Sequence, residues 1–225
     1  MLLMGLDVGP TGVKAAVFDL RGAMRGYGFE EYGVVCAKPG WAEQDAEHVF
    51  QAACRVMGAA AAEAGGEIAA IGLSVQGDAV IAVDAACRPV APVQLGMDYR
   101  CLPESEAFAR EFGEEWLFKK TGMRPHPLVS LCKVRNFVFQ TPEVDRRAAR
   151  YMTYSDYMLS RLGADEPVID HTMATRTMGV DLQTLDWDDA LIGAAGVDRS
   201  RLSRPLPSGV SVGRLNARLV EVLRI

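Results

Sequence analysis

Two hydrophobic rhythms alternate along this chain. Leu2-Leu3-Met4-Gly5-Leu6 is an apolar run that ends on Asp7, and Val13-Lys14-Ala15-Ala16-Val17-Phe18 is a second, bounded by Asp19 and Arg21-Gly22. The turn between them, Gly9-Pro10-Thr11-Gly12, is rich in the residues that punctuate strands. A third run, Met24 to Tyr32, carries Phe and Tyr and again reads as extended. The period then changes. After a loop over 34–43, Val49, Ala52, Ala53, Val56, Met57 and Ala60 recur at helical spacing. Asp45 is the predicted N-cap and Gly65-Gly66 the predicted stop of a helix over 46–64, whose Ala-rich face suits close packing on a sheet. Ile68 to Val75 is a continuous apolar strand, Gln76-Gly77-Asp78 interrupts it, and Ala79 to Val83 is predicted as strand again. Hairpin strands, a helix and then a buried strand predict an α/β architecture.

The stretch from Pro89 to Arg100 reads as irregular. Helices are predicted over 104–112, over 114–121 with Gly122 as stop, and from Ser130, the expected cap, to Phe139. A short strand over 150–153, a helix over 155–162 and turn chemistry around Asp170 follow. Short helices over 188–195 and 217–223 flank a Pro-rich stretch, Leu202 to Gly209. No repeat, low-complexity tract or linker interrupts the pattern, so one domain over 1–225 is expected.

Composition narrows the class. Of 225 residues, 49% are hydrophobic and 24% charged, a globular composition. The net charge of −5, with no basic cluster, excludes a general nucleic-acid binder. Five scattered cysteines without a C-x-x-C pair fit free thiols in a reducing compartment better than a disulfide framework or a zinc site. The start of the chain lacks a basic lead and carries Asp7, unlike a signal peptide, and no run reaches the roughly 18 apolar residues of a membrane span. The cytoplasm is the expected location.

The first turn carries the candidate chemistry. Gly9 and Gly12 permit close approach of a ligand, and the Thr11 hydroxyl and Lys14 ammonium add donors. Asp7 would repel a bare phosphate and belongs beside one only with a metal between them, as Mg²⁺ is held by one or two carboxylates and phosphate oxygens. Asp7 as metal ligand, with Gly9, Thr11, Gly12 and Lys14 on the phosphates, describes a Mg–nucleotide site. The same residues also describe a plain hairpin with an exposed Asp and Lys, and residue types alone leave both open. A strand follows the turn, which excludes a Rossmann fingerprint, and the spacing does not fit a P-loop.

Several stretches, in order, resemble the N-terminal domain of the FGGY carbohydrate kinases, the group of glycerol kinase, xylulokinase, gluconokinase and erythritol kinase. Gly5 to Lys14 resembles the family's opening phosphate motif, and Gly40-Trp41-Ala42-Glu43-Gln44-Asp45 its W-x-E-Q-D segment. Ile68 to Gln76 resembles its I-x-x-I-G-x-S-x-Q strand, Asp84 to Pro92 its D-x-x-G-x-P-x-x-P turn, and Asp98-Tyr99-Arg100 its D-x-R. Thr121-Gly122, Lys133, Asp156-Tyr157, Asp170 and Ala174 extend the match over nearly the whole chain. The resemblance implies a ribonuclease H-like α/β fold of the actin and hexokinase type, with a mixed central sheet and flanking helices. It implies ATP and Mg²⁺ as cofactors at the Asp7 turn, and a sugar or polyol substrate contacted by Gln76, Gly77 and Asp78. Asp98 and Arg100 would stand on the same wall, as substrate contacts or as an ion pair bracing it. On the residues alone, Asp78 reads first as a turn-capping carboxylate.

Several positions depart from the family pattern, among them Cys87, which stands where the turn over Asp84 to Pro92 commonly has Gly. Pro10 replaces a Ser or Thr that donates to phosphate, Gly96-Met97 replaces a Trp, and Leu128 stands where glycerol kinases have a Tyr. The family's general base, an Asp in a G-x-x-D segment, is expected beyond Ile225, together with a second domain that binds adenosine. The resemblance therefore implies one half of an ATP-dependent kinase of a ketose or polyol, inactive alone, whose first partner is its own C-terminal domain. Self-association into a homodimer is expected of such a half, because it exposes apolar surface meant for that domain. A non-catalytic sugar- or nucleotide-binding relative is the alternative. An actin- or chaperone-like ATPase fits less well, since those lack the Gln-Gly-Asp and Asp-x-Arg stretches.

Overall fold

The computed structural model describes residues 1–223. Strands β1 (Leu2–Val8), β2 (Gly12–Asp19) and β3 (Met24–Glu31) form an antiparallel meander. After β4 (Glu43–Gln44) and α1 (Ala46–Ala64), β5 (Ile68–Val75) returns parallel to β1, giving a mixed sheet of order β3-β2-β1-β5. Strand alternation sorts the two faces. Met4, Leu6 and Val8 of β1 and Val13, Ala15 and Val17 of β2 are buried in the core shared with α1, whereas Asp7 and Lys14 point to the other face.

α1 forms as its sequence predicts. The Asp45 carboxylate accepts from the N–H groups of Glu47 and His48 at 2.9 and 3.1 Å, and Gly65 ends the helix at φ 60°. β3 lies so close that a Cβ at Gly26 would stand 2.0 Å from the Ala60 carbonyl oxygen, and one at Gly28 2.4 Å from that of Val56. These two glycines are required by a helix pressed directly on backbone.

The second half divides between two cores: Ile81, Val83, Val93, Tyr154, Tyr157, Met158 and Leu162 join the core under the main sheet, and Phe108, Leu117, Phe137, Tyr151, Trp187 and Leu191 belong to a separate one. The elements of this half are β6 (Ile81–Val83), β7 (Val93–Gln94), α2 (Leu102–Phe112), α3 (Glu114–Thr121), α4 (Ser130–Gln140) and α5 (Pro142–Asp145). Then come β8 (Arg150–Met152), α6 (Tyr154–Leu162), β9 (Val168–Asp170), α7 (His171–Arg176), β10 (Val180–Asp181) and β11 (Asp186–Trp187). α8 (Asp189–Ala194), β12 (Arg204–Leu206) and α9 (Ala217–Leu223) complete the chain. The short strands pair as β4–β7, β6–β8, β9–β12 and β10–β11.

These short pairs are what the sequence pattern hid. The stretch read as irregular, 89–100, contains β7, whose partner β4 lies at the end of the predicted loop over 34–43. The predicted turn region around Asp170 holds β9 and α7, and β12 in the Pro-rich stretch pairs in parallel with β9. Strands of two or three residues show no period of their own; a distant partner creates them. Ser130 does not cap α4: Val129 occupies that position, and the Ser130 hydroxyl has no partner among the described residues. Among the described residues no helix is long and apolar enough to cross a membrane.

Candidate functional site

The first hairpin places an acid opposite a base. Asp7 and Lys14 are register partners across β1 and β2, and Lys14 Nζ lies 3.1 Å from Asp7 Oδ2, with both side chains about half exposed. The turn closes through the Gly9 N–H, which donates to the Gly12 carbonyl at 2.9 Å. Neither Gly9 nor Gly12 takes a positive φ. The expected backbone freedom is therefore not what Gly12 supplies; a Cβ there would meet the Glu30 carbonyl oxygen at 2.9 Å, so it is needed for packing on β3. Thr11 is exposed, and among the described residues its hydroxyl has no protein partner.

Side chains hold this turn from behind. The Gly9 carbonyl accepts from the Tyr32 hydroxyl at 2.7 Å and from Gln76 Nε2 at 3.4 Å. The Pro10 carbonyl accepts from Gln44 Nε2 at 2.6 Å. Gln44 Oε1 in turn accepts from Gln76 Nε2 and from the Tyr154 hydroxyl, each at 3.0 Å. Burial first, and the nearby Asp7 charge second, push the Tyr32 phenol well above its ordinary range, so it stays a donor. Gln76, expected on substrate, donates Nε2 to the turn and to Gln44.

The wall beside the turn is ionic. Asp78 is 3% exposed and sits at φ 66°, with Oδ2 accepting from Arg176 Nη2 and Oδ1 buried without a partner among the described residues. Asp98 is fully buried: Oδ2 accepts from the Ala42 N–H at 2.7 Å, and Oδ1 from the Arg100 N–H and Nε at 2.9 Å each. Arg100 Nη2 also donates to Glu43 at 2.8 Å, and its guanidinium lies 3.5 Å from the centre of the Trp41 ring. Of the two roles expected for Asp98 and Arg100, this geometry is that of a brace tying the 98–100 turn to β4. Lys133, also fully buried, donates to the carbonyls of Pro127 and Leu128, and burial lowers its pKa.

Sequence reasoning missed Tyr32, Tyr154 and Arg176 as members of this site, and it read Gln44 only as part of a motif. Arg176 falls just past the turn region around Asp170, at the end of α7, and no local signal marks it. The fit of the turn to a metal–nucleotide can be judged from the donors. Lys14 is the protein partner of Asp7 Oδ2, and Oδ1 has none among the described residues, which leaves the carboxylate able to take a metal. No group of three or more His, Cys, Asp or Glu side chains forms a metal cage among the described residues. One carboxylate completed by phosphate oxygens and water is the coordination Mg²⁺ favours, and the residues fit it.

The sheet of order β3-β2-β1-β5, with a charged, braced turn after its first strand and helices packed on it, is an α/β domain. The model of the FGGY family of carbohydrate kinases, N-terminal domain, matches residues 2–223, and the chain belongs to that family. It is 29% identical over 224 residues to a glycerol kinase from Trichormus variabilis, covering 97% of this chain and 45% of that protein. It is 28% identical over 211 residues to a gluconokinase from Bacillus subtilis, covering 92% of this chain and 40% of that one. The structure of a xylulose kinase from Rhodospirillum rubrum superposes with TM-score 0.95 over 100% of this chain and 46% of that one, at 22% identity, a likeness of fold. The chain thus spans less than half the length of these relatives.

Proposed function

We propose that this chain is the phosphate-cradling, sugar-facing half of a kinase that transfers a phosphoryl group from ATP to a hydroxyl of a ketose or polyol. The observation that carries the reading is the Asp7–Lys14 pair at the mouth of a turn whose carbonyls are all tied backwards. With its acceptors occupied, the turn presents mainly donors to a ligand. The Gly9 N–H is spent on the Gly12 carbonyl and Pro10 has none, so the Thr11 hydroxyl and N–H would bind phosphate oxygens, and Lys14 would exchange its Asp7 partner for them. Asp7 would hold Mg²⁺, which neutralises phosphate charge when bound.

Phosphoryl transfer asks mainly for positioning and charge neutralisation. The substrate proton must pass to a base, and we assign no such base within this chain. In this proposal the general-base Asp comes from the family's G-x-x-D segment, expected beyond Ile225, and a second domain supplies the surface that closes over the cleft and excludes water. Homodimerisation of the half alone, through the open groove beside β5 lined by Ile71, Leu73 and Leu162, is part of the same proposal. So is a cytoplasmic location, which suits five free cysteines.

Pro10 favours a second reading, a non-catalytic binding relative, because its ring removes one N–H from the phosphate turn. The complete polypeptide, assayed with Mg·ATP and D-xylulose, D-gluconate, glycerol or erythritol, separates the two. Turnover of at least one, abolished by Asp7→Asn, supports the kinase. Mg·ATP binding without turnover of any supports the binder.

A further inference from the structure

The space over Gly77 is filled from elsewhere in the chain. A Cβ at Gly77 would lie 2.8 Å from Arg176 Nε and 3.5 Å from its Cζ, so the guanidinium stands where a side chain at 77 would stand. Arg176, at the end of α7, reaches there by donating Nη2 to Asp78 Oδ2. The two partners differ sharply in access: the Arg176 side chain is 49% exposed and that of Asp78 is 5%. Among the described residues no acceptor pairs with Arg176 Nε or Nη1. Asp78 offers little outward, with one oxygen taken by Arg176 and the other buried. Gly96 closes over it, since a Cβ there would meet the Gly77 carbonyl at 3.3 Å and Asp78 Cβ at 3.4 Å.

Resting on the reading of this wall as a sugar site, we propose that Arg176 is the residue through which the wall contacts the substrate, and that Asp78 is a positioning residue that fixes the guanidinium. The contact chemistry follows from the donor set. A guanidinium carries five N–H donors and no acceptor. It matches planar oxygens that only accept, better than hydroxyls that must also donate. The substrate class is a polyhydroxy compound with an sp² oxygen at this end, either the carbonyl of a ketose or the carboxylate of an aldonate. Gly77 is then a specificity feature as well, because any side chain there would displace Arg176.

The test uses the complete polypeptide, with affinities for D-xylulose, D-gluconate, glycerol and erythritol measured calorimetrically and Mg·ADP as a separate ligand. Wild type should bind D-xylulose or D-gluconate more tightly than the two hydroxyl-only polyols; the winner tells carbonyl from carboxylate. Arg176→Gln should erase that preference and weaken the preferred sugar about 10-fold or more, the worth of a hydrogen bond to a charged group. Arg176→Lys should keep part of it, and Asp78→Asn should cost less than Arg176→Gln. Mg·ADP affinity should be unchanged throughout, which also reports that each variant is folded. Unchanged sugar affinity and preference in Arg176→Gln would overturn the inference while leaving the sugar site standing, as would tightest binding of glycerol or erythritol. If wild type binds Mg·ADP but none of the four sugars, the sugar-site reading fails and the inference falls with it.

Discussion

Gln44 Nε2 donates to the Pro10 carbonyl at 2.6 Å, so β4, just ahead of α1, grips the turn between the first two strands. The grip is shared, because Gln44 Oε1 receives both Gln76 and the Tyr154 hydroxyl. Gln44→Leu should leave the buried Tyr154 hydroxyl and the part-buried Pro10 carbonyl without their partner and cost about 1–3 kcal/mol. Denaturant unfolding measures the cost, and calorimetry should show weaker Mg·ADP binding in the same variant. Wild-type stability and nucleotide affinity in Gln44→Leu would mean the turn keeps its shape unaided.

Asp7→Asn should separate ligand binding from folding. The Asp7–Lys14 pair is half exposed, and exposed pairs contribute at most about 1 kcal/mol. Unliganded stability should therefore change little, while the thermal shift produced by Mg·ADP in the complete protein should be lost. An equal shift in Asp7→Asn and wild type would remove Asp7 from the metal site.

Gly26→Ala tests the contact between β3 and α1. Its Cβ would lie 2.0 Å from the Ala60 carbonyl oxygen, and neither backbone can yield without separating helix from sheet. A loss of at least about 3 kcal/mol is expected in chemical denaturation. Gly5→Ala is the control, since a Cβ there would meet nothing within 4 Å. Similar losses in both would show that strand flexibility, not the helix, sets the cost.

Asp156 gives a pH signature. Burial raises its carboxyl to about 6, against hydrogen bonds from Ser203 and Thr153 that favour the ionised form. The folded chain then holds this proton more tightly than the unfolded one. Stability from this group is complete below the unfolded value near 4 and declines as pH rises to about 6. About 3 kcal/mol is lost across that window, with no further change above it. Carbon NMR of the Asp156 carboxyl should titrate with a midpoint near 6, and a midpoint near 4 would remove the effect.

Legibility in the sequence followed the distance between interacting residues. Asp45 and Gly65 declare the ends of α1 because capping groups lie within a turn of the helix they cap. The Asp7 turn could be read because its strands are long enough to alternate. β4 and β7 could not, since each is two residues long and exists through the other, as Gln44↔Val93 shows. Asp98 was recognised as charged next to Arg100, but only the fold shows it buried and bound to the Ala42 N–H. Arg176 was invisible for the same reason. It lies 98 positions from Asp78 and acquires its meaning over a glycine whose empty space no residue type announces.

The Tyr154 hydroxyl reaches Gln44 across 110 positions of sequence. All four strands of the main sheet and α1 lie within the first 75 residues, so a ribosome releases them well before Tyr154 emerges. At about 5–20 residues per second, the interval is some seconds. During it the sheet lacks Tyr154, Tyr157 and Met158 from its core, and the last brace behind the turn has still to be made.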